Sequence, residues 1–137
     1  MINVIQQSVE FEKTTPGELF GILIDSRKHS EIIKAEVKIS RREGDSFSAF
    51  NGMVTGKNLT IVSDKMIVQS WRGNVWNDDD LDSIVIMMFT STQRGAKIDL
   101  IHANVPEQFF KMEKWKELYW EPMKAYLISK SAKKDPA

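Results

Sequence analysis

Cysteine is absent from the 137 residues and histidine occurs only twice, as His29 and His102. Without thiols there is no disulfide framework, no thiolate zinc site and no cysteine nucleophile. Two histidines far apart in sequence would need carboxylates from several loops to complete a transition-metal site, so no metal and no cofactor is expected. An excess of one charge is missing as well: 19 basic and 19 acidic side chains cancel, leaving no global field to attract nucleic acid or an anionic membrane. No apolar run approaches the roughly 20 residues that span a bilayer, and the longest, Ile84 to Phe89, reads as a buried strand. The opening MINVIQQSVEFEK alternates polar and apolar residues, unlike a signal peptide, so a cytoplasmic location is expected. Also missing are G-x-S-x-G, a phosphate-cradling glycine loop and HExxH.

What is present suits one domain over residues 1–130, followed by a frayed tail at 131–137, SAKKDPA included; 42% of the residues are hydrophobic, enough for a core at this length. Residues 2–12 alternate and predict a strand with Ile5, Val9 and Phe11 on one face. Thr15, Pro16 and Glu18 form a capping box with proline at the first helical position, opening a helix to about Asp25; a short second helical turn follows over 26–33. Strands are then predicted at 37–40, 47–50, 53–62, 66–72, 83–91 and 96–104, with Asn51-Gly52 as a two-residue hairpin signal. From Glu107 to Ile128, Met112, Trp115, Tyr119, Pro122 and Tyr126 fall on one face of an amphipathic helix of about six turns, with Lys111, Lys114, Glu117, Glu121 and Lys124 opposite. Pro122 is expected to bend this helix, and Pro122→Ala to straighten it. The order describes an α+β fold with an antiparallel sheet on one side of the last helix.

GDSFSAFNGMVTGKNLTIVSDKMIVQSWR, DSIVIMMFTST, AKIDLIHANVP and KWKELYWEPMKAYL resemble successive blocks of the activator of heat-shock protein 90 ATPase homologue family. More narrowly, they are similar to the C-terminal-type domain of that activator, a member of the START-like (SRPBCC) helix-grip superfamily. The resemblance covers nearly the whole chain. It implies a curved antiparallel sheet of six to seven strands wrapped on a long C-terminal helix, with a cavity between them. It does not fix an activity, since the superfamily includes lipid carriers, receptors, cyclases and chaperone cofactors. The eukaryotic activator's main chaperone contact lies in an additional N-terminal domain, so stimulation of a chaperone ATPase by these residues alone is not expected.

Strand parity selects the cavity residues. Ile98, Leu100 and His102 share one face opposite Lys97 and Asp99; Val85, Met87 and Phe89 are taken as the inner face of the preceding strand, where Ile84, Ile86 and Met88 are equally apolar and the pattern alone does not choose, and Ile67 and Trp71 join them. From the helix come Trp115, Tyr119, Met123 and Tyr126. The same list describes an ordinary packed core. The polar tips of Trp115 and Tyr119 need partners when buried, whether a ligand or a water. His102 could orient a ligand head or donate a proton, or be a hydrogen-bonded core residue, and it cannot form a dyad with Asp99 across the strand. His29 is expected to be exposed. Asp78, Asp79, Asp80 and Asp82 lack the spacing of a calcium loop and read as a solvated hairpin, beside which Trp76 is placed to cover the cavity mouth, contact a partner or tuck under the loop.

Three readings follow. The first is a non-enzymatic module binding a small hydrophobic molecule. The second is an accessory protein of the heat-shock protein 90 system acting through its surface. The third is an enzyme using a cavity histidine and a carboxylate.

Overall fold

The computed structural model describes residues 3–134, with side chains through residue 130. The elements run β1 (Val4–Glu12), α1 (Pro16–Ile24), α2 (Ser26–Ile33), β2 (Ser46–Ala49), β3 (Val54–Val62), β4 (Met66–Gly73), β5 (Ser83–Ser91), β6 (Gly95–Ala103), α3 (Glu107–Phe110), a π-turn over Lys116–Trp120 and α4 (Glu121–Lys134). The strands form one six-stranded antiparallel sheet in the order β1-β6-β5-β4-β3-β2. The predicted strand at 37–40 is reduced to one bridge, Lys38 to Ser48, and residue 2 of the first predicted strand lies outside the described residues. Helix α4 continues to Lys134, and residues 135–137 lie outside the description.

Local chemistry accounts for the helical start. Thr15 accepts the amide of Glu18 and Pro16 occupies the first turn of α1, the N-cap half of the capping box, while the Glu18 carboxylate accepts from the Thr14 hydroxyl. Asp25 then caps α2 by accepting the Lys28 amide. The β2–β3 connection departs from the two-residue hairpin: Ala49 pairs with Val54, leaving four residues, with Phe50 and Asn51 both in the left-handed region (φ 53° and 59°). The extra length lets the Phe50 ring meet Tyr119, 6.0 Å between centroids.

Alternation in the sheet does what its period dictates. The row Gln69–Val85–His102–Ile5 runs across β4, β5, β6 and β1, flanked by the row Ile67–Met87–Leu100 and the pair Trp71–Ser83. These side chains are all buried on the concave face. Two pieces cover that face. One is the α1–α2 pair, whose Phe20 meets Phe89 edge-on at 5.9 Å. The other is the segment from Trp115 through α4.

The terminal helix is not the continuous six turns expected. α3 ends at Phe110, and a regular helix resumes only where Leu118 N–H reaches the Lys114 carbonyl. Its first stretch is π: the Glu121 amide reaches Lys116 O, five residues back. A π-turn advances the buried face by about one residue. Trp115 and Tyr119 therefore continue into Trp120, Met123 and Leu127, all buried. Pro122 and Tyr126, expected on the inner face, rotate to its flank and are half-buried, and Met112 lies outside the regular helix and is 64% exposed.

Pro122 can sit here because it follows the wide turn and its missing N–H breaks no regular ladder alone. The side-chain pattern holds the turn more strongly than the proline does, because an α-helical repeat with Trp115 and Tyr119 inward would rotate Met123 and Leu127 from the centre of the core towards the flank. Against that, Leu or aromatic truncations in cores cost about 2–5 kcal/mol each. Pro122→Ala is therefore expected to keep the Lys116–Glu121 bond and to shift stability by under about 1 kcal/mol. A crystal structure of the variant showing an α-helical repeat through 116–120 would contradict this.

Candidate functional site

The concave end of the sheet near Trp71 is built from aromatic rings whose polar tips are all paired within the protein. Buried Asn58, at the register shift in β3, donates to the carbonyls of Ser40 and Arg42. Its oxygen accepts from Gln69 Nε2 at 3.0 Å, and Gln69 Oε1 accepts from Trp71 Nε1 at 2.9 Å. An indole N–H only donates, so the chain of bonds fixes both amide orientations. Gln69→Leu would orphan the Asn58 oxygen and the Trp71 N–H and is expected to cost about 2–4 kcal/mol; chemical denaturation measures it.

His102 is fixed in the same way. Trp115 Nε1–H donates to His102 Nδ1 at 3.3 Å, so Nδ1 carries no proton. Ser83 Oγ donates to the Trp71 carbonyl at 2.9 Å and therefore accepts from His102 Nε2–H at 2.8 Å. His29 differs from expectation: it is 6% exposed rather than on the surface. Its Nδ1–H donates to the Leu23 carbonyl and its Nε2 accepts from Tyr119 O–H, each at 2.9 Å. Both histidines are thus neutral, each with one nitrogen reserved for the terminal segment. Burial depresses both imidazoles to about 4, with the Leu23 carbonyl opposing the fall at His29, and burial raises the Tyr119 phenol. The partners sought for Trp115 and Tyr119 are these two histidines.

Over this floor lies a cavity of about 380 Å³, within the range of small-molecule sites. It opens between the end of β4, the β4–β5 loop and residues 109–119. Of the expected cavity residues, Trp71, His102, Trp115 and Tyr119 line it. The others do not line it: Ile67, Val85, Met87, Phe89, Ile98, Leu100 and Met123 belong to the buried hydrophobic core, where α1 packs on β5 and β6. Tyr126 sits beside Lys130 on the helix flank. The sequence reading missed the walls Phe50, Val54 and Phe109 and the rim Met53, Val75 and Leu118. Met53, Val75 and Met112 are 56%, 66% and 64% exposed; apolar residues inside polar turns were the signal for the first two. Trp76 does reach the mouth, its ring against Phe109 at 5.6 Å.

The groups outside the floor carry little chemistry of their own. Arg72 Nη1 donates to the Asp80 carbonyl and Nη2 to the Asn77 carbonyl, and Arg72 also pairs with Asp82 at 3.2 Å, which makes the aspartate run a structural loop. Among the described residues no group of three or more His, Asp or Glu could hold a metal ion. His102 bonds a hydroxyl and an indole, while Asp99 pairs with Lys97 at 3.6 Å on the opposite face. No helix among the described residues is long and apolar enough to cross a membrane.

This sheet and its gripping helix match known proteins. The family model described as Activator of Hsp90 ATPase homolog 1-like protein matches residues 13–127. The chain belongs to that family. The activator of 90 kDa heat shock protein ATPase homolog of Dictyostelium discoideum is 22% identical over 104 residues, 74% of this chain and 27% of that protein. The chain spans 27% and 23% of the length of the curated relatives it matches. The crystal structure of an HSP90 activator from Plasmodium falciparum superposes with a TM-score of 0.78 at 22% identity, covering 93% of this chain and 96% of that one. A protein of Mesorhizobium loti gives 0.74 at 16% identity, covering 97% and 99%. These likenesses establish the α+β helix-grip fold.

The histidine geometry gives this family member a pH signature. Each imidazole titrates near 6.5 when unfolded and at about 4 when folded, so between those values the unfolded chain binds more protons. Stability is full above pH 6.5, declines as pH falls towards 4 by up to about 1.4 kcal/mol per pH unit for each histidine, and then levels off for these groups. His102→Gln should remove about half of that slope. Urea unfolding from pH 7.5 to 4 checks it, and an unchanged slope would show that His102 does not titrate in this window.

Proposed function

We propose that this chain is a non-enzymatic binding domain whose groove takes a small hydrophobic molecule. The observation that carries this reading is the floor: Trp71, His102, Trp115 and Tyr119 present rings to the space while every polar tip is already paired. Such a surface offers apolar area and no unpartnered donor or acceptor, so it favours ligands by shape and by water release. Methionines at the rim add side chains that adapt to different outlines. The absence of an acid–base pair at His102 argues against the enzyme reading.

Native mass spectrometry of freshly purified protein, against its denatured mass, tests whether a molecule is held. Titration with the neutral dye N-phenyl-1-naphthylamine tests capacity directly. Met53→Glu and Met112→Glu place charge at the rim without touching the core, and each is expected to weaken dye binding about tenfold or more, roughly 1.4 kcal/mol, with Tm unchanged. Equal affinity in wild type and variants would sink the assignment to this groove.

A second reading has its own support: the Dictyostelium relative and the Plasmodium neighbour are named as activators of heat-shock protein 90. On that reading the chain is an accessory protein of the chaperone acting through its surface. Adding it to heat-shock protein 90 and measuring ATP turnover separates the two, since a ligand module leaves the turnover unchanged.

A further inference from the structure

Three of the four tryptophans are buried and hydrogen-bonded: Trp71 to Gln69, Trp115 to His102 and Trp120 to Gln7. Trp76 is the exception. It is half-buried, and its indole N–H has no hydrogen bond among the described residues. Two contacts seat its ring. On one side is Phe109, across the mouth, with the rings 34° apart. On the other is Gly73, where an added Cβ would lie 2.5 Å from Trp76 Nε1 and 2.8 Å from Cδ1. Gly73 does not have a positive φ, so its backbone does not call for glycine. The seat for the indole does.

Hydrogen bonds fix the backbone around Trp76, while the ring is held by contact. At the base, Asn74 N–H donates to the Met53 carbonyl and Trp76 N–H to the Gly73 carbonyl. At the tip, Asn77 and Asp80 bond each other in both directions, and Arg72 ties both to the sheet. A side chain held by contact only, on a pinned backbone, moves by rotation about χ1 and χ2, which takes ps–ns when exposed and longer against a partner ring. Nothing polar has to be unpaired for it to leave Phe109.

We infer that Trp76 is the gate of the groove: seated on Gly73 and Phe109 it narrows the mouth, and its rotation widens it to admit and release the apolar ligand. This rests on the groove being a ligand site. A gate differs from a wall in its kinetics. Removing a wall speeds dissociation only, whereas removing a gate speeds entry and exit together.

Stopped-flow mixing with N-phenyl-1-naphthylamine reads the two rates. Trp76→Ala is expected to raise both association and dissociation by about tenfold or more while Kd moves less than about threefold. Gly73→Ala, which fills the seat and keeps the indole, should raise both rates in the same direction. A second readout needs no ligand: in protein carrying 5-fluorotryptophan, the Trp76 resonance should move towards the solvent-exposed position in Gly73→Ala while the other three stay in place. Dye bound by none of the proteins, with the Trp76 resonance shifted as expected, would reject the ligand reading and uphold the mobile ring. Dye rates equal across the three proteins, faster dissociation alone, or an unmoved Trp76 resonance would overturn the gate.

Discussion

Two hydrogen bonds from the terminal segment to neutral imidazoles set the geometry of this molecule: Trp115 Nε1–H to His102, and Tyr119 O–H to His29. His102 belongs to the sheet and His29 to α2, so the pair fastens the start of the long helix to both of the structures it covers. Each bond requires a nitrogen without a proton. The enclosure that favours the neutral form is itself supplied by the rings those bonds hold in place. Because Trp115 and Tyr119 are four residues apart, fastening both fixes the rotation of the helix as well as its position.

That rotation explains the π-turn and, through it, the groove. With 115 and 119 turned inward, a regular helix would carry 122 and 126 inward next, yet the wide part of the concave face is filled by Trp120, Met123 and Leu127. One extra residue in the turn reconciles the two stripes. The cost falls at the front, where Leu118 is left 41% exposed and residues 113–114 stand outside any helix or turn. The cavity opens at that front.

Period-2 and capping signals were legible in the sequence because they are local. The inner face of β6 followed from alternation alone, that of β5 did not because both of its faces are apolar, and Thr15-Pro16-Glu18 located α1 to within a residue. The resemblance supplied the wrapping of sheet on helix. Beyond it, the errors share one cause, a partner distant in sequence. His29 reads as a surface residue in the polar stretch SRKHS until Tyr119, ninety residues away, is brought to its ring. The helical spacing of Met112, Trp115 and Tyr119 is real, but α3 breaks before it can be used. Half of the groove's wall comes from turns, where no periodicity exists to point inward; Val75 and Met53 announced themselves only as apolar residues with no local reason to be there.

The distribution of hydrogen bonds also separates what is rigid from what can move. The floor of the groove is a closed network in which losing one partner strands another: Asn58 supports Gln69, Gln69 supports Trp71, and Ser83 links the Trp71 carbonyl to His102. Such a network resists piecemeal motion, because each broken bond leaves a buried group unsatisfied. The mouth has no equivalent. Phe109, Met53, Val75, Met112 and Trp76 meet one another or the solvent through apolar contact, whose energy changes gradually with position. A rigid aromatic floor beneath a rim of contact-held side chains keeps the shape of the site constant while its entrance varies, and in this chain the division falls between the three bonded tryptophans and the one that is not.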